Sequence, residues 1–381
     1  ETDIRQKQIE QKKHTGLVSE DFPVQDIKHQ SKNIYEDAYQ AETDTQLQIM
    51  KDNHSYTIEE PLLVWNPYGT NTGSFYYYGI SKQDSYVVCE VTCNNGSVIK
   101  HRLKNDSDSG VTKTHEYLIT GLAPGLKNHF SLAFYDAGNN LIHTYQYTVT
   151  LKKDKQIPAI TKVEKGNSKS SLTDGLFAVL GHDKSKAKNI YYYDNNGICR
   201  GKTPLDDYRT DRILTIDGKI VYSYSLTDIA FVNRLGKVEK TLSLGKYELH
   251  HDFMYDEKRN ELLCLVNDTD KDTIEDVLIS VNIETGKVKK LVDFEKMMKS
   301  MRKRSVQRKG GKNTYGGTEL DWLHLNSLDM INDKDAVFSS REESVIIKIN
   351  NIYENPSIDY LIHSGSLYKA VSYTHLRAHE T

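Results

Sequence analysis

Residues 250–294 read HHDFMYDEKRNELLCLVNDTDKDTIEDVLISVNIETGKVKKLVDF. Short β-prone runs alternate here with polar loops, and the turn Glu284-Thr285-Gly286 separates the last two runs. The apolar residues do not recur at the spacing of a helix. The order is strand, turn, strand, longer loop, strand, turn, strand, which predicts one four-stranded blade of a β-propeller.

Three other segments repeat this plan, residues 174–205, 212–244 and 322–362. The first two contain Asn-Gly, Asp-Gly and Leu-Gly turns, which are typical of hairpins. The repeat length is roughly the 40–50 residues of such blades, although it is uneven and carries no signature of the common propeller families. We therefore predict about four propeller blades within residues 153–369.

A different pattern precedes the blades. Seven β-prone runs, separated by glycine-containing turns such as Asn95-Gly96, follow one another between residues 57 and 152. Short strands at this density are typical of a β-sandwich. Residues 1–56 are polar and predict an extended or partly helical lead-in. The predicted fold class is thus all-β, with an N-terminal β-sandwich followed by an incomplete β-propeller.

Composition excludes several classes of protein. The formal net charge is -3 over 381 residues, and the basic run at 301–312 lacks interleaved aromatic residues, so no nucleic acid partner is predicted. No run of about 20 apolar residues occurs. The four cysteines form no CxxC pair, which gives no support for a zinc or redox site. Cys89 and Cys93 would lie about 13 Å apart on one strand face, too far for a disulfide.

Three short islands of histidine and arginine stand at the ends of predicted strands. They contain His250 and His251, then His324, and then Arg341. In a propeller, the starts of the innermost strands line a central channel, so these residues would converge. Arginine can fork onto a sulfate or phosphate, and histidine can exchange protons near neutral pH. The islands therefore predict an anion site.

Other interpretations of the same residues stay open. A histidine in a strand is often purely structural, and Arg341 could form a surface ion pair with the glutamates that follow it. We considered a metal held by His250, His251 and Asp252. Neighbours on one strand point to opposite faces, so we predict no metal. The sequence contains no Walker loop and no Rossmann fingerprint, and we predict no cofactor.

Several strings in the chain are similar to the bacterial arylsulfotransferase family. They are LHHDFMYDEKRNELLCLVND, DWLHLNSLD and SSREESVIIKI, with WNPYGT and HEYLITGLAPG in the predicted sandwich. The resemblance covers about residues 57–365 and implies a six-bladed propeller behind an N-terminal β-sandwich. It further implies transfer of a sulfuryl group from a phenolic sulfate ester to a phenol acceptor, by a ping-pong sulfohistidine mechanism without a nucleotide sulfate donor.

The resemblance assigns roles to individual residues. His324 and Arg341 match residues that bind the sulfuryl oxygens, and the pair His250 and His251 matches the first histidine of the family's site. Which member of the pair points inward is left open. The family's nucleophilic histidine lies beyond the arginine motif, and none of the three later histidines has the aromatic-rich context of that nucleophile; they are His363, His375 and His379.

The final residues, 370–381, read AVSYTHLRAHET and resemble a translated sequencing adapter. We therefore expect an artefactual tail after residue 369, a ring left open at about four blades, and a chain without sulfotransferase activity. The resemblance implies an extracytoplasmic location, and a homo-oligomer is left open. One alternative is a non-catalytic module that binds an anionic ligand or glycan at the cell surface. Another is a sulfatase or phosphoesterase, but no C/S-x-P-x-R motif occurs.

Overall fold

The computed structural model describes residues 15–21, 23–107, 110–157, 164, 166–167, 175–181, 188–306, 311–313 and 316–363. The predicted tail at 370–381 lies outside these residues. The chain divides into two compact units, Glu1–Arg209 with Phe231–Lys240, and Thr210–Ala230 with Thr241–Thr381. The predicted domain borders at 57, 153 and 370 stay predictions.

Regular structure is mostly β, which confirms the predicted all-β class. The sandwich strands are β1 (Thr15–Asp21), β2 (Leu62–Trp65), β3 (Phe75–Cys93), β4 (Ile99–Arg102), β5 (Thr112–Ile119), β6 (Lys127–Tyr135) and β7 (Leu141–Thr150). The later strands are β8 (Phe177–Val179), β9 (Asn189–Tyr193), β10 (Cys199–Pro204), β11 (Ile213–Ile216), β12 (Lys219–Ser223), β13 (Asp228–Val232), β14 (Val238–Ser243), β15 (Tyr247–Asp256), β16 (Glu261–Asp268), β17 (Val277–Asn282), β18 (Val288–Asp293), β19 (Leu325–Met330), β20 (Ala336–Ser340), β21 (Val345–Asn350) and β22 (Ser357–His363).

The sandwich is organised around the long strand β3. Its first part, residues 75–80, pairs with β2 and β5, and its last part, residues 86–93, pairs with β4 and β6. Two of the seven predicted runs are therefore one strand that belongs to both sheets. β1 pairs in parallel with β7, so part of the predicted lead-in is extended and joins the sandwich.

The sandwich core follows from the alternation of apolar residues along its strands. On β3, the alternate residues Val87, Cys89 and Val91 are buried and pack with Phe130 and Phe134 of β6. Cys89 and Cys93 both lie on this strand as free cysteines, as the spacing predicted. Apolar residues from both sheets thus share a single core.

A buried arginine fixes β10 within the first unit. The guanidinium of Arg200 is fully buried, and its Nε lies 2.8 Å from Oδ2 of Asp194. Its Nη1 donates to the carbonyl oxygen of Gly121. Gly73 allows the close approach, since a Cβ there would lie 1.8 Å from the main-chain oxygen of Arg200.

Three four-stranded antiparallel sheets follow the pattern predicted for propeller blades. Their strand orders are β11-β12-β13-β14, β15-β16-β17-β18 and β19-β20-β21-β22, and β8 to β10 form a three-stranded sheet. Each sheet uses consecutive strands, because short polar turns join them. At Asp217-Gly218 both residues have positive φ, as a tight two-residue hairpin requires.

Within the described residues, three helices interrupt the strands: α1 (Asp37–Asn53), α2 (Phe294–Met297) and α3 (Lys299–Arg304). α1 lies in the predicted lead-in and buries Leu47 against an apolar cluster of the first unit. α2 and α3 follow β18 directly. No helix in the described part of the chain is long and apolar enough to cross a membrane.

Candidate functional site

An irregularity in β15 places the histidine pair. Leu249 pairs with Val266 and Phe253 pairs with Cys264, so residues 250–252 stand opposite a single residue of β16. His251 has φ +54, which lies in the left-handed region. Such a bulge re-aims side chains that a regular strand would point to opposite faces.

His324 and Arg341 are brought together by the hairpin of β19 and β20. His324 immediately precedes β19 and Arg341 immediately follows β20. The main-chain N–H of Arg341 donates to the carbonyl oxygen of His324 at 2.9 Å. The predicted convergence of these two islands is therefore present in the second unit.

His251 is the member of the pair that contacts His324. Their Nε2 atoms lie 2.9 Å apart, so one nitrogen donates and the other accepts. The main-chain N–H of His251 donates to Asp211 at 3.1 Å, which holds the bulge. The side chain of His251 keeps 20% of its surface exposed, whereas His250 is buried. The structure thus separates the two histidines that the sequence could not distinguish.

Two buried carboxylates orient His324. Its Nδ1 lies 2.5 Å from Oε2 of Glu275 and 2.8 Å from Oδ2 of Asp321. Carboxylates accept hydrogen bonds, so Nδ1 carries the proton and Nε2 faces His251. Neither acid is among the predicted site residues. The available signal was their position, since each stands shortly before a β-strand, as His324 does.

The electrostatics of the cluster follow from burial and these contacts. Burial lowers the pKa of His250 to about 3, so its imidazole is neutral at neutral pH. Burial also works to lower the pKa of His324, but hydrogen bonds to Asp321 and Glu275 raise it overall. For Glu275, burial opposes ionisation, yet the surrounding imidazoles lower its pKa to about 2. The cluster therefore favours an ionised Glu275 beside a readily protonated His324.

Arg341 joins the cluster through Asp321. Its Nη2 lies 3.2 Å from Oδ2 of Asp321 and 2.8 Å from Oε1 of Glu342. The side chain is 26% exposed, so part of the guanidinium faces solvent. Asp321 thereby contacts both His324 and Arg341. The predicted pairing of Arg341 with a following glutamate also exists.

The segments that carry the acids are tied to each other. Trp322 donates from Nε1 to Oδ2 of Asp276 at 2.9 Å, and Lys271 lies 3.0 Å from the same carboxylate. The N–H of Leu325 donates to the carbonyl oxygen of Glu275 at 3.1 Å. These contacts fix the two segments that present Glu275 and His324.

Two overlapping sets of residues have donor atoms close enough to hold a metal ion. His250, His251 and Glu275 form one set, and Glu275, Asp321 and His324 form the other, each with its donor atoms within 4.8 Å. Asp252, the third ligand considered in the sequence analysis, belongs to neither set. Its carboxylate instead contacts Arg212 and accepts from the N–H of Leu328.

Comparisons with known proteins bear on residues that include this cluster. The sequence model of the family described as Arylsulfotransferase (ASST) matches residues 161–376. That range is more than half of the chain and contains every predicted site residue. No curated protein sequence matches the chain significantly.

Solved structures give only weak likenesses. A nidogen–laminin complex has a TM-score of 0.30 at 10% identity, covering 74% of this chain and 95% of that one. A mitotic checkpoint complex has a TM-score of 0.32 at 9% sequence identity, covering 76% of this chain and 77% of that one. The β-propeller domain of Cps50 (Swd1) from Myceliophteria thermophila has a TM-score of 0.30 at 8% sequence identity, covering 75% of each chain. At such scores these likenesses support no conclusion about function.

Proposed function

Because the chain belongs to the arylsulfotransferase (ASST) family, we propose that it binds a phenolic sulfate ester as the donor of a sulfuryl group destined for a phenol acceptor. The observation that carries the proposal is the junction of His324 and Arg341, whose main chains share a hydrogen bond and whose side chains share Asp321. By the same resemblance we propose that the protein acts outside the cytoplasm.

The charges of the cluster suit the outer oxygens of a sulfuryl group. These oxygens keep negative charge throughout a transfer, and fixed cationic donors stabilise that charge. Arg341 offers a partly exposed fork of N–H donors, and the raised pKa of His324 favours its cationic form. His251 is the partly exposed imidazole beside them. We assign sulfuryl-oxygen binding to these three residues. His250, which is buried, is assigned a supporting role behind them.

The proposed reaction has two half-reactions. A histidine nitrogen attacks the sulfur of the donor, the bond from sulfur to the aryl oxygen breaks, and the phenolate leaves and takes up a proton. The oxygen of the acceptor phenol then attacks the sulfur, the bond from sulfur to nitrogen breaks, and the acceptor loses its proton. The oxygen-binding residues can serve both steps because the sulfuryl oxygens stay in place.

No histidine of this chain is assigned as the nucleophile. Of the three histidines after Arg341, only His363 lies within the described residues, and it is exposed on β22. We therefore propose that the chain binds aryl sulfate without turning it over.

The test combines binding with turnover. The chain is titrated with 4-nitrophenyl sulfate, and release of 4-nitrophenolate is followed with and without phenol. Arg341→Gln and His324→Asn should each weaken binding about 10–100-fold, the loss expected for one charge-assisted hydrogen bond. Arg259→Gln is the matched control, because Arg259 stacks on Tyr353 in the same unit and is not part of the cluster.

Each outcome has a defined meaning. Unchanged binding in both cluster variants, with circular dichroism like that of the parent, would contradict the assignment of the anion site. Phenol-dependent turnover that is lost in His251→Asn would contradict only the proposed lack of activity. The missing match for a nucleophile favours a second candidate, a non-catalytic module for anionic ligands or glycans. That module should bind inorganic sulfate or a sulfated glycan as tightly as the aryl ester.

A further inference from the structure

We propose that His250, His251 and Glu275 form a binding site for one divalent transition-metal ion of the Zn²⁺ class. Their donor atoms lie within 4.8 Å of one another. Two imidazoles and one carboxylate are a donor set that zinc and related ions use in proteins, with a further position open for water or substrate. The metal would be held entirely by residues of the second unit.

The strongest support is the state of the His250 side chain. The residue is 5% exposed, yet neither ring nitrogen makes a hydrogen bond of normal geometry with any residue that the structure describes. The main chain of Val266 acts on it as a hydrogen-bonding neighbour, with the smallest of the effects on its pKa. Buried polar side-chain atoms are normally satisfied. A metal ion would accept the lone pair that His250 presents to the interior.

The bulge in β15 removes the objection that the sequence raised against a metal. On a regular strand His250 and His251 would point to opposite faces, but their ring centroids lie 5.5 Å apart around the bulge. Both His251 and Glu275 have positive φ. Main-chain hydrogen bonds from His251 to Asp211 and from Glu275 to Asn267 hold these two conformations.

The charges of the set also suit a cation. Glu275 is fully buried, so a bound cation would offset the cost of burying its carboxylate, and His250 is buried in the same set. The partial exposure of His251 leaves a side from which an ion and its fourth ligand can enter. The set therefore combines a fixed negative charge, two imidazoles and an access route.

Metal binding would change the partner of His251. Its Nε2 lies 3.8 Å from Glu275 and 2.9 Å from Nε2 of His324, so one nitrogen faces both. Coordination through this nitrogen would replace the hydrogen bond between the two histidines. Metal binding needs no aryl sulfate and does not rest on the proposed sulfotransfer, so the two proposals can fail separately. With the ion bound, His251 would hold the ion, and His324 and Arg341 would remain as the sulfuryl-oxygen ligands.

The second set, Glu275, Asp321 and His324, is the less suitable one. Nδ1 of His324 already lies against both carboxylates, and its hydrogen bond to Asp321 occupies it. Coordination would have to displace the proton of that bond from a nitrogen whose neighbours raise its pKa. Variants that remove one ligand from each set can distinguish the two positions.

The experiment is a calorimetric titration of the full chain, purified without a polyhistidine tag, with ZnCl2. We expect one Zn²⁺ per chain, removable by a chelator, and at least about 100-fold weaker binding in His250→Gln and Glu275→Gln, since loss of even a supporting contact costs 10–100-fold. His363→Gln is the matched control, because it removes an exposed imidazole of the same unit. Co²⁺ should give visible absorption bands that are absent in the two ligand variants.

Three results would overturn the proposal. They are no stoichiometric Zn²⁺ in the parent chain, equal binding by the parent and a folded His250→Gln, and loss of the ion in Asp321→Asn with its retention in His250→Gln. The last would place the ion in the second set. Circular dichroism checks the fold of each variant. If Glu275→Gln does not fold, His250→Gln and the Co²⁺ spectrum of the parent decide the question.

Discussion

Replacing Asp321 by Asn tests whether this carboxylate holds His324 and Arg341 together. It lies 2.8 Å from Nδ1 of His324 and 3.2 Å from Nη2 of Arg341, with 1% of its side chain exposed. Hydrogen bonds to charged groups contribute about 1.5–3 kcal/mol each. Glu275 remains as a partner for His324, and Arg341 keeps Glu342, which limits the loss. We therefore expect the free energy of unfolding to fall by about 2 kcal/mol, which is less than the roughly 3–6 kcal/mol sum for two such bonds.

Urea denaturation followed by tryptophan fluorescence measures this change. Trp65 and Trp322 lie in different units, so a Trp65→Phe background reports on the second unit alone. The midpoint should fall at constant slope. Because Arg341 is partly exposed, a double-mutant cycle with Arg341→Gln should give a coupling of about 0.5–1 kcal/mol. Asp333→Asn, in an exposed ion pair, should change stability by less than about 0.5 kcal/mol. An equally small effect of Asp321→Asn, or zero coupling, would refute the reasoning.

Two further predictions concern the first unit. Burial lowers the pKa of His115 from 6.5 to about 4, so the unfolded chain binds a proton first as the pH falls. The free energy of unfolding should therefore fall by about 3 kcal/mol as the pH is lowered from 6.5 to 4. His115→Gln should remove this part of the pH dependence. Equal slopes of unfolding free energy against pH in both proteins would contradict the prediction. Arg200→Leu should lower the free energy of unfolding by about 3–5 kcal/mol, because it leaves Asp194 buried and uncompensated. Adding Asp194→Asn should recover part of that loss in urea denaturation, and no recovery would argue against an electrostatic cause.

The strands and turns were largely predictable because they depend on local sequence. Asp217-Gly218 predicted a hairpin, and both residues adopt the positive φ that such a turn needs. The sequence could not show that two runs form the single strand β3, since its middle, residues 82–84, is polar and exposed like a loop. The contacts of the buried Arg200 side chain could not be predicted either, because its partners are far apart in the sequence.

Only part of the site could be predicted, because only some of its contacts depend on local sequence. His324 and Arg341 stand at the two ends of one hairpin, so their convergence follows from neighbouring strands. Glu275 reaches His324 only through the packing of one sheet's loop against the next, which no local pattern encodes. The alternation of side chains that counts against a metal on a regular strand does not hold at residues 250–252, because the bulge of β15 breaks the ladder there.

The shared strand β3 has a consequence for how the sandwich opens. Its residues 75–80 belong to one sheet and residues 86–93 to the other, and both parts contribute to the same core. Unfolding of either sheet breaks hydrogen bonds of β3, the strand that is also part of the other sheet. The amide protons of both parts should therefore exchange with solvent in a single cooperative event, with no half of the sandwich surviving alone.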